Sequence, residues 1–180
     1  LPILPKLALL REVAGHAKIP QVTEHVRALN AQGEQVLVVA HHRAVVDAYA
    51  RALCGPKVLK LQGGMSARAT EDTKRHFNTH GVEDAPVLIL SQDAGKLGHT
   101  LCLQRKLAGL PEACHVVIAE ESPSPGGEAQ AMDRVWRIPQ TRPVTVQNVI
   151  ARDTLDEGLY LLRRAKRRAA AVITDGEAVD

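Results

Sequence analysis

The sequence predicts an α/β fold: a three-layer α/β/α domain built on a mostly parallel central sheet. Three observations carry this. Short runs that are apolar along nearly their whole length alternate with stretches of helical periodicity. The runs are continuous rather than polar–apolar alternations, as expected of strands covered by crossover helices on both faces. The chain has 180 residues, 45% of them hydrophobic, which is enough for one domain and its core. Aromatic residues make up only 2%, so Leu, Val, Ile and Ala must supply that core.

The elements follow in order. The opening "LPILPKLALL" is apolar but has neither a basic leader nor a cleavage signal, so residues 1–17 read as a linker or helix rather than a signal peptide. Val22, Val26 and Leu29 have helical spacing within 20–32, and Gly33 follows them. "QVLVVA" (35–40) is a buried strand, "RAVVDAYARAL" (43–53) a helix and "KVLKL" (57–61) a second strand. Gly63-Gly64 interrupt the pattern before a helix over 66–77. "PVLIL" (86–90) and "HVVIA" (115–119) are further buried strands, and residues 101–114 between them read as an irregular surface excursion. "SPSPGG" (122–127) is a loop by composition, "VTVQNVI" (144–150) a last strand, and 154–173 the closing helix. The domain thus spans 18–175, with a tail over 176–180.

Several classes are disfavoured. No run of eighteen apolar residues is present, so no membrane span is expected. Cys54, Cys102 and Cys114 form no CxxC pair and leave an odd thiol, which fits a reducing cytoplasm better than secretion. The eight histidines show no metal-ligand spacing, so no metal site is expected; in a strand, the adjacent His41 and His42 would point to opposite faces. The formal charge of +3 permits nucleic acid without demanding it.

Ligands of parallel sheets bind beyond the carboxyl ends of strands. Three segments occupy that rim: "AHHR", "SQDAGKLGHT" and "EESPSPGGEAQAMDRVWR". The second is a glycine-containing turn whose backbone amides suit an anion. No GxxxxGKS phosphate loop occurs, so a nucleotide site here requires completion by another domain. The third runs into "QAMDRVWRIPQTRPV", with three arginines and two glutamines in fifteen residues. Arginine grips phosphate through a planar fork that stays charged. Arg134 and Arg137 are three apart and share a helix face, which places two guanidinium groups near one phosphate or makes a solvated face paired with Asp133 or Glu128. The basic run "RRAKRR" (163–168) is too dense to lie on one face; it complements the helix macrodipole or meets phosphate.

These motifs resemble a known family. "QAMDRVWRIPQ" is similar to the last helicase motif of superfamily 2 in its Swi/Snf form, usually written QAxDRxHRIGQ. "QVLVVAHHR" resembles the motif that opens the second RecA-like lobe, and "LQGGMS" with Phe77 resembles the Leu-x-Gly-Ser-Thr segment and its downstream Phe. "LILSQDAGKLGHTL" resembles the family's Ser-x-x-Ala-Gly motif, and "DTLDEGL" the start of its closing helix. Within the family, the annealing-helicase (HARP-like) branch looks nearest. Trp136 stands where the family has His, Pro139 where it has Gly, and "SPSP" where it has an aromatic-rich segment.

The resemblance implies the second RecA-like lobe of a DNA-dependent ATPase. ATP would be held between this lobe and a first lobe that supplies the phosphate loop and the Mg²⁺ carboxylates. By motif position, Arg137 is the arginine finger and Arg134 its companion; Gln130, Gly95 and Gly98 lie beside the nucleotide; His41, His42, Ser91 and Thr100 face DNA. DNA and the first lobe are the implied partners, contacts to DNA being to its backbone, and the implied location is the cytoplasm (nucleoid-associated) or the nucleus. The rival reading, drawn from the "SPSP" departure, is a stand-alone nucleic-acid-binding or regulatory module that keeps the fold without ATP turnover.

Overall fold

A computed structural model describes residues 2–53, 57–91, 109–111, 113–120 and 141–175. Within them the chain folds as α1 (Ile3–Ala17), α2 (Ile19–Ala31), β1 (Val36–Ala40), α3 (Arg43–Leu53), β2 (Val58–Leu61), α4 (Ala67–Thr79), β3 (Val87–Ser91), β4 (His115–Ile118), β5 (Thr145–Asn148) and α5 (Leu155–Asp175). The five strands form one sheet in the order β2-β3-β1-β4-β5, and every pairing is parallel. The register aligns Val36 with both Val87 and His115, so β1 is the central strand.

The alternation of strand side chains separates two cores. Val36, Val38 and Ala40 of β1 join Val87, Ile89 and Val117 beneath Val22, Val26, Val45, Val46 and Tyr49 of α2 and α3. Leu37 and Val39 point the other way, with Leu88, Leu90, Val116 and Ile118, beneath Phe77 of α4. β1 and β3 are buried at every position, as their apolar runs require. The edge strands depart from the expectation of burial on both faces. β2 is only half-buried along most of its length and places Lys60 2.8 Å from Asp47, and β5 is nowhere fully buried. An edge strand has one covered neighbour only, so polar side chains there still reach water.

Local chemistry sets the ends. Pro2 caps α1 and Pro5 lies in its first turn, where a missing N–H costs nothing, so the opening stretch is helical in spite of two prolines. Its apolar side chains Ile3, Leu4, Leu9, Leu10 and Val13 are exposed. Gly33 adopts a φ of 82°, the left-handed turn that releases the chain from α2 toward β1. The Ser66 hydroxyl accepts from the Ala69 N–H and starts α4. No described helix is long and apolar enough to cross a membrane.

In the closing helix, Arg163 is buried whereas Arg164, Lys166 and Arg168 are exposed, so the basic run divides between faces as its density implied. The glycine-containing turn after β3, the loop 122–127 and the motif 130–140 lie outside the described residues. So do most of 101–114, although Ala113 and Cys114 at the end of that excursion are buried rather than on the surface.

Candidate functional site

The carboxyl rim of the sheet is built around Glu120, the second residue beyond β4. Backbone bonds from the Ala119 and Glu120 N–H groups to the Val39 carbonyl (2.9 and 3.2 Å) carry the ladder past the strand end and aim Glu120 across to β1. There its carboxylate is only 2% exposed. Oε2 accepts from the backbone N–H groups of His41 (2.8 Å) and His42 (2.9 Å), and Oε1 accepts from His42 Nδ1 (2.7 Å). One carboxylate thus fixes the whole turn between β1 and α3. Hydrogen bonds to an ionised acceptor are the strong kind.

His41 and His42 accordingly lie in a turn and not in the strand, and the strand geometry that would separate them does not apply. Their rings meet edge to face at 4.9 Å. The His42 carbonyl accepts the Val46 N–H at 3.0 Å, which begins α3. Ser91, last in β3, sits at the same rim but is buried.

Behind the rim, α1 comes close enough that a Cβ on Gly15 would stand 2.6 Å from Glu120 Oε1 and 3.0 Å from a Val45 methyl. Glycine is the residue that permits this approach. The Tyr49 hydroxyl is buried in the core without a hydrogen-bond partner among the described residues. Burial raises its pKa well above the usual tyrosine range, and the charges of Glu120 and Asp156 add to that. Asp156 is also buried. Its Oδ2 accepts from Lys18 Nζ (2.6 Å) and from the Ala151 N–H (3.0 Å), while Lys18 also donates to the Val149 carbonyl (3.1 Å). This pair ties the α1–α2 junction to the start of α5.

Of the residues the sequence singles out, the structure brings His41, His42 and Ser91 to one rim. Gly95, Gly98, Thr100, Gln130, Arg134 and Arg137 lie outside the described residues. Sequence reasoning missed Glu120 as the organiser of the rim. The available signal was an acidic residue directly after an apolar strand, within a segment already assigned to the rim.

The model of the family described as "Helicase conserved C-terminal domain" matches residues 17–139. The chain belongs to that family. This helicase C-terminal domain is of the SNF2 type, as its relatives show. It is 33% identical to helicase-like transcription factor CHR27 of Arabidopsis thaliana over 117 residues, 65% of this chain and 10% of that protein. It is 29% identical to chromatin-remodeling ATPase INO80 of Cryptococcus neoformans over 171 residues, 94% of this chain and 9% of that one. The bovine (Bos taurus) SWI/SNF-related matrix-associated actin-dependent regulator of chromatin subfamily A-like protein 1 is 31% identical over 163 residues, 89% of this chain and 16% of that protein. Among solved structures, the C-terminal part of the Fun30 ATPase domain aligns with a TM-score of 0.70 at 26% identity, over 81% of this chain and 44% of that one. The chain spans between about a tenth and a sixth of the length of these curated relatives.

Proposed function

We propose that this helicase C-terminal domain is the second lobe of an ATP-dependent, DNA-stimulated translocase, nearest in kind to the annealing-helicase branch. The observation that carries the reading is the rim itself. The strand ends that precede the matched motifs converge there, and Glu120 holds the β1–α3 turn rigid where a ligand would lie. The similarity to ATPases over most of the chain supports it.

In this reading the His41–His42 turn faces the DNA backbone and contributes position rather than sequence information. Ser91 and Thr100 share that role. Arg137, with Arg134 beside it, reaches the γ-phosphate of ATP when the lobes close, and Gln130, Gly95 and Gly98 shape the nucleotide's surroundings. The first lobe of the parent chain supplies the phosphate loop and the Mg²⁺ ligands. Phosphoryl transfer depends on charge stabilisation, and an arginine supplied across a cleft is worth ~10³–10⁵ in rate.

Arg137→Ala in the two-lobe parent chain tests the reading. DNA-stimulated ATP turnover should fall by about three orders of magnitude or more, with nucleotide binding little changed. Arg137→Lys should recover little, because an ammonium lacks the two-pronged fork. The 180-residue chain alone should show no turnover. Near-normal turnover by Arg137→Ala in the parent would return the stretch 130–144 to the other reading of its arginines, a charged, solvated helix face.

A further inference from the structure

We propose that Glu34, Cys114 and His115 form a binding site for a zinc-class divalent cation at the amino end of the sheet, on the edge opposite the nucleotide rim. Glu34 ends the turn before β1, and its neighbours in space arrive from far along the chain. The parallel register sets His115 opposite Val36, and Thr145 opposite His115. Three strand starts therefore bring Glu34, Cys114, His115 and Arg142 together.

Two of the three distances come near those of a tetrahedral ion. The three ligand atoms lie within 4.8 Å of one another. Cys114 Sγ is 3.7 Å and His115 Nε2 4.0 Å from the same oxygen, Glu34 Oε2. Ordinary zinc bond lengths imply tetrahedral edges of about 3.6 Å for sulfur to oxygen and about 3.4 Å for nitrogen to oxygen. The sulfur already stands at its edge length, and the imidazole needs to close by about half an ångström. Thiolate, imidazole and carboxylate together favour zinc over calcium or magnesium, which take oxygen ligands.

The surroundings supply the other requirements of a site. His115 Nδ1 is buried with no hydrogen-bond partner among the described residues, and Nε2 faces Glu34 Oε2 at 4.0 Å, beyond hydrogen-bond reach. Arg142 grips Glu34 from the other side, through Nη1 to Oε2 (3.0 Å) and Nη2 to Oε1 (2.5 Å), and orients the carboxylate as outer partners of metal ligands do. The Glu34 backbone is fixed too: its carbonyl accepts from Asn30 Nδ2 (2.8 Å) and its N–H donates to the Leu29 carbonyl (3.1 Å). A pocket of about 220 Å³ lined by Gly33, Glu34, Ala113 and Arg142 opens beside Glu34. On binding, the Cys114 S–H bond breaks, the proton leaves to solvent, and the sulfur pair forms the metal bond. Water completes the tetrahedron. No electron is transferred.

Titration of the 180-residue chain with Co²⁺ tests the site. One equivalent should give the visible bands of four-coordinate cobalt together with a thiolate-to-cobalt charge-transfer band. Cys114→Ser and Cys114→Ala should each abolish the charge-transfer band, and His115→Gln should weaken cobalt binding by at least about tenfold. Far-ultraviolet circular dichroism of each variant checks that it is folded. Zinc at a hundredfold excess over its dissociation constant should raise the melting temperature of the unaltered chain by about 5–10 °C and leave that of Cys114→Ser unmoved. A folded chain that shows no charge-transfer band, or a band that survives both Cys114 substitutions, would overturn the proposal and leave the cluster as an ion pair between Glu34 and Arg142.

Discussion

Each end of the parallel sheet holds one carboxylate on which distant segments converge, and the two are held by different means. At the carboxyl rim, Glu120 is enclosed and takes two backbone N–H groups and an imidazole. At the amino end, Glu34 keeps 20% of its side chain exposed and is answered by a guanidinium. Neutral amides give Glu120 direction: they fix where a loop runs. A full charge gives Glu34 balance. The Arg142 hydrogen bonds hold its carboxyl below the usual range, partly opposed by its burial. Substitution at the rim should therefore disturb backbone, and substitution at the amino end should disturb titration.

The largest effect is expected at Glu120. Glu120→Ala leaves two amides without their acceptor at about 1–3 kcal/mol each, for a loss of roughly 3 kcal/mol and a melting temperature lower by about 6–12 °C. Hydrogen exchange of the His41 and His42 amides should quicken in the same variant. Gly15→Ala comes next. Its Cβ would press on the Glu120 carboxylate, a rigid and buried neighbour, and overpacking of this kind costs about 1–3 kcal/mol. Urea unfolding of the double variant sharpens the point. With Glu120 also replaced by Ala, the Gly15→Ala penalty should shrink below about 1 kcal/mol, because only the Val45 methyl still opposes it.

The amino end should show its difference in acid. A carboxyl depressed in the fold contributes stability that is complete above its unfolded value, 4.5, and is lost as pH falls through the lower folded value. Arg142→Gln should cost only about 1 kcal/mol at neutral pH and should flatten the acid limb of stability below pH 4.5. Chemical denaturation across that range decides it. Tyr49→Phe should have the smallest effect at neutral pH, within about 1 kcal/mol of the unaltered chain, since the hydroxyl lost has no partner among the described residues. In alkali its effect should appear. Burial raises the folded value, so stability is complete below the unfolded tyrosine value of 10.0 and falls as pH rises beyond it. The phenylalanine variant should lose that fall.

The central strands were legible because nothing else explains "VLVVA" and "PVLIL": apolar at every position, too short for helices, and flanked by helical periodicity. The edge strands were legible as strands but not as edges, since a run's position in the sheet is decided by pairing and not by its own residues. The rim was legible in outline, as three segments following three strands. Its organiser was not. Glu120 meets His41 and His42 across nearly eighty residues of chain, and such contacts follow from strand order, which the pattern of elements leaves open. The same holds for Glu34, Cys114 and His115. No spacing rule links them, because register and not sequence distance brings them together. Motif likeness, by contrast, pointed to the helicase C-terminal family directly, through short segments whose chemistry demands particular residues in a particular order.

The all-parallel order has a consequence for the chain's synthesis. β1 finds no partner in its own neighbourhood; β3 follows about fifty residues later and β4 about eighty. At a ribosome's pace of ~5–20 residues per second, the most hydrophobic strand of the sheet waits between about 3 and 16 seconds for its flanks. During that interval "VLVVA" is a bare apolar segment beside two finished helices. α2 and α3 are both made within a few residues of it and carry Val22, Val26, Val45 and Val46 on the face that will cover it. They can shelter one side of the strand at once, as a helix–strand–helix unit, and only its other face and its two edges must wait. Of β1 itself, only Leu37, Val39 and the unpaired backbone stay open until β3 and β4 arrive.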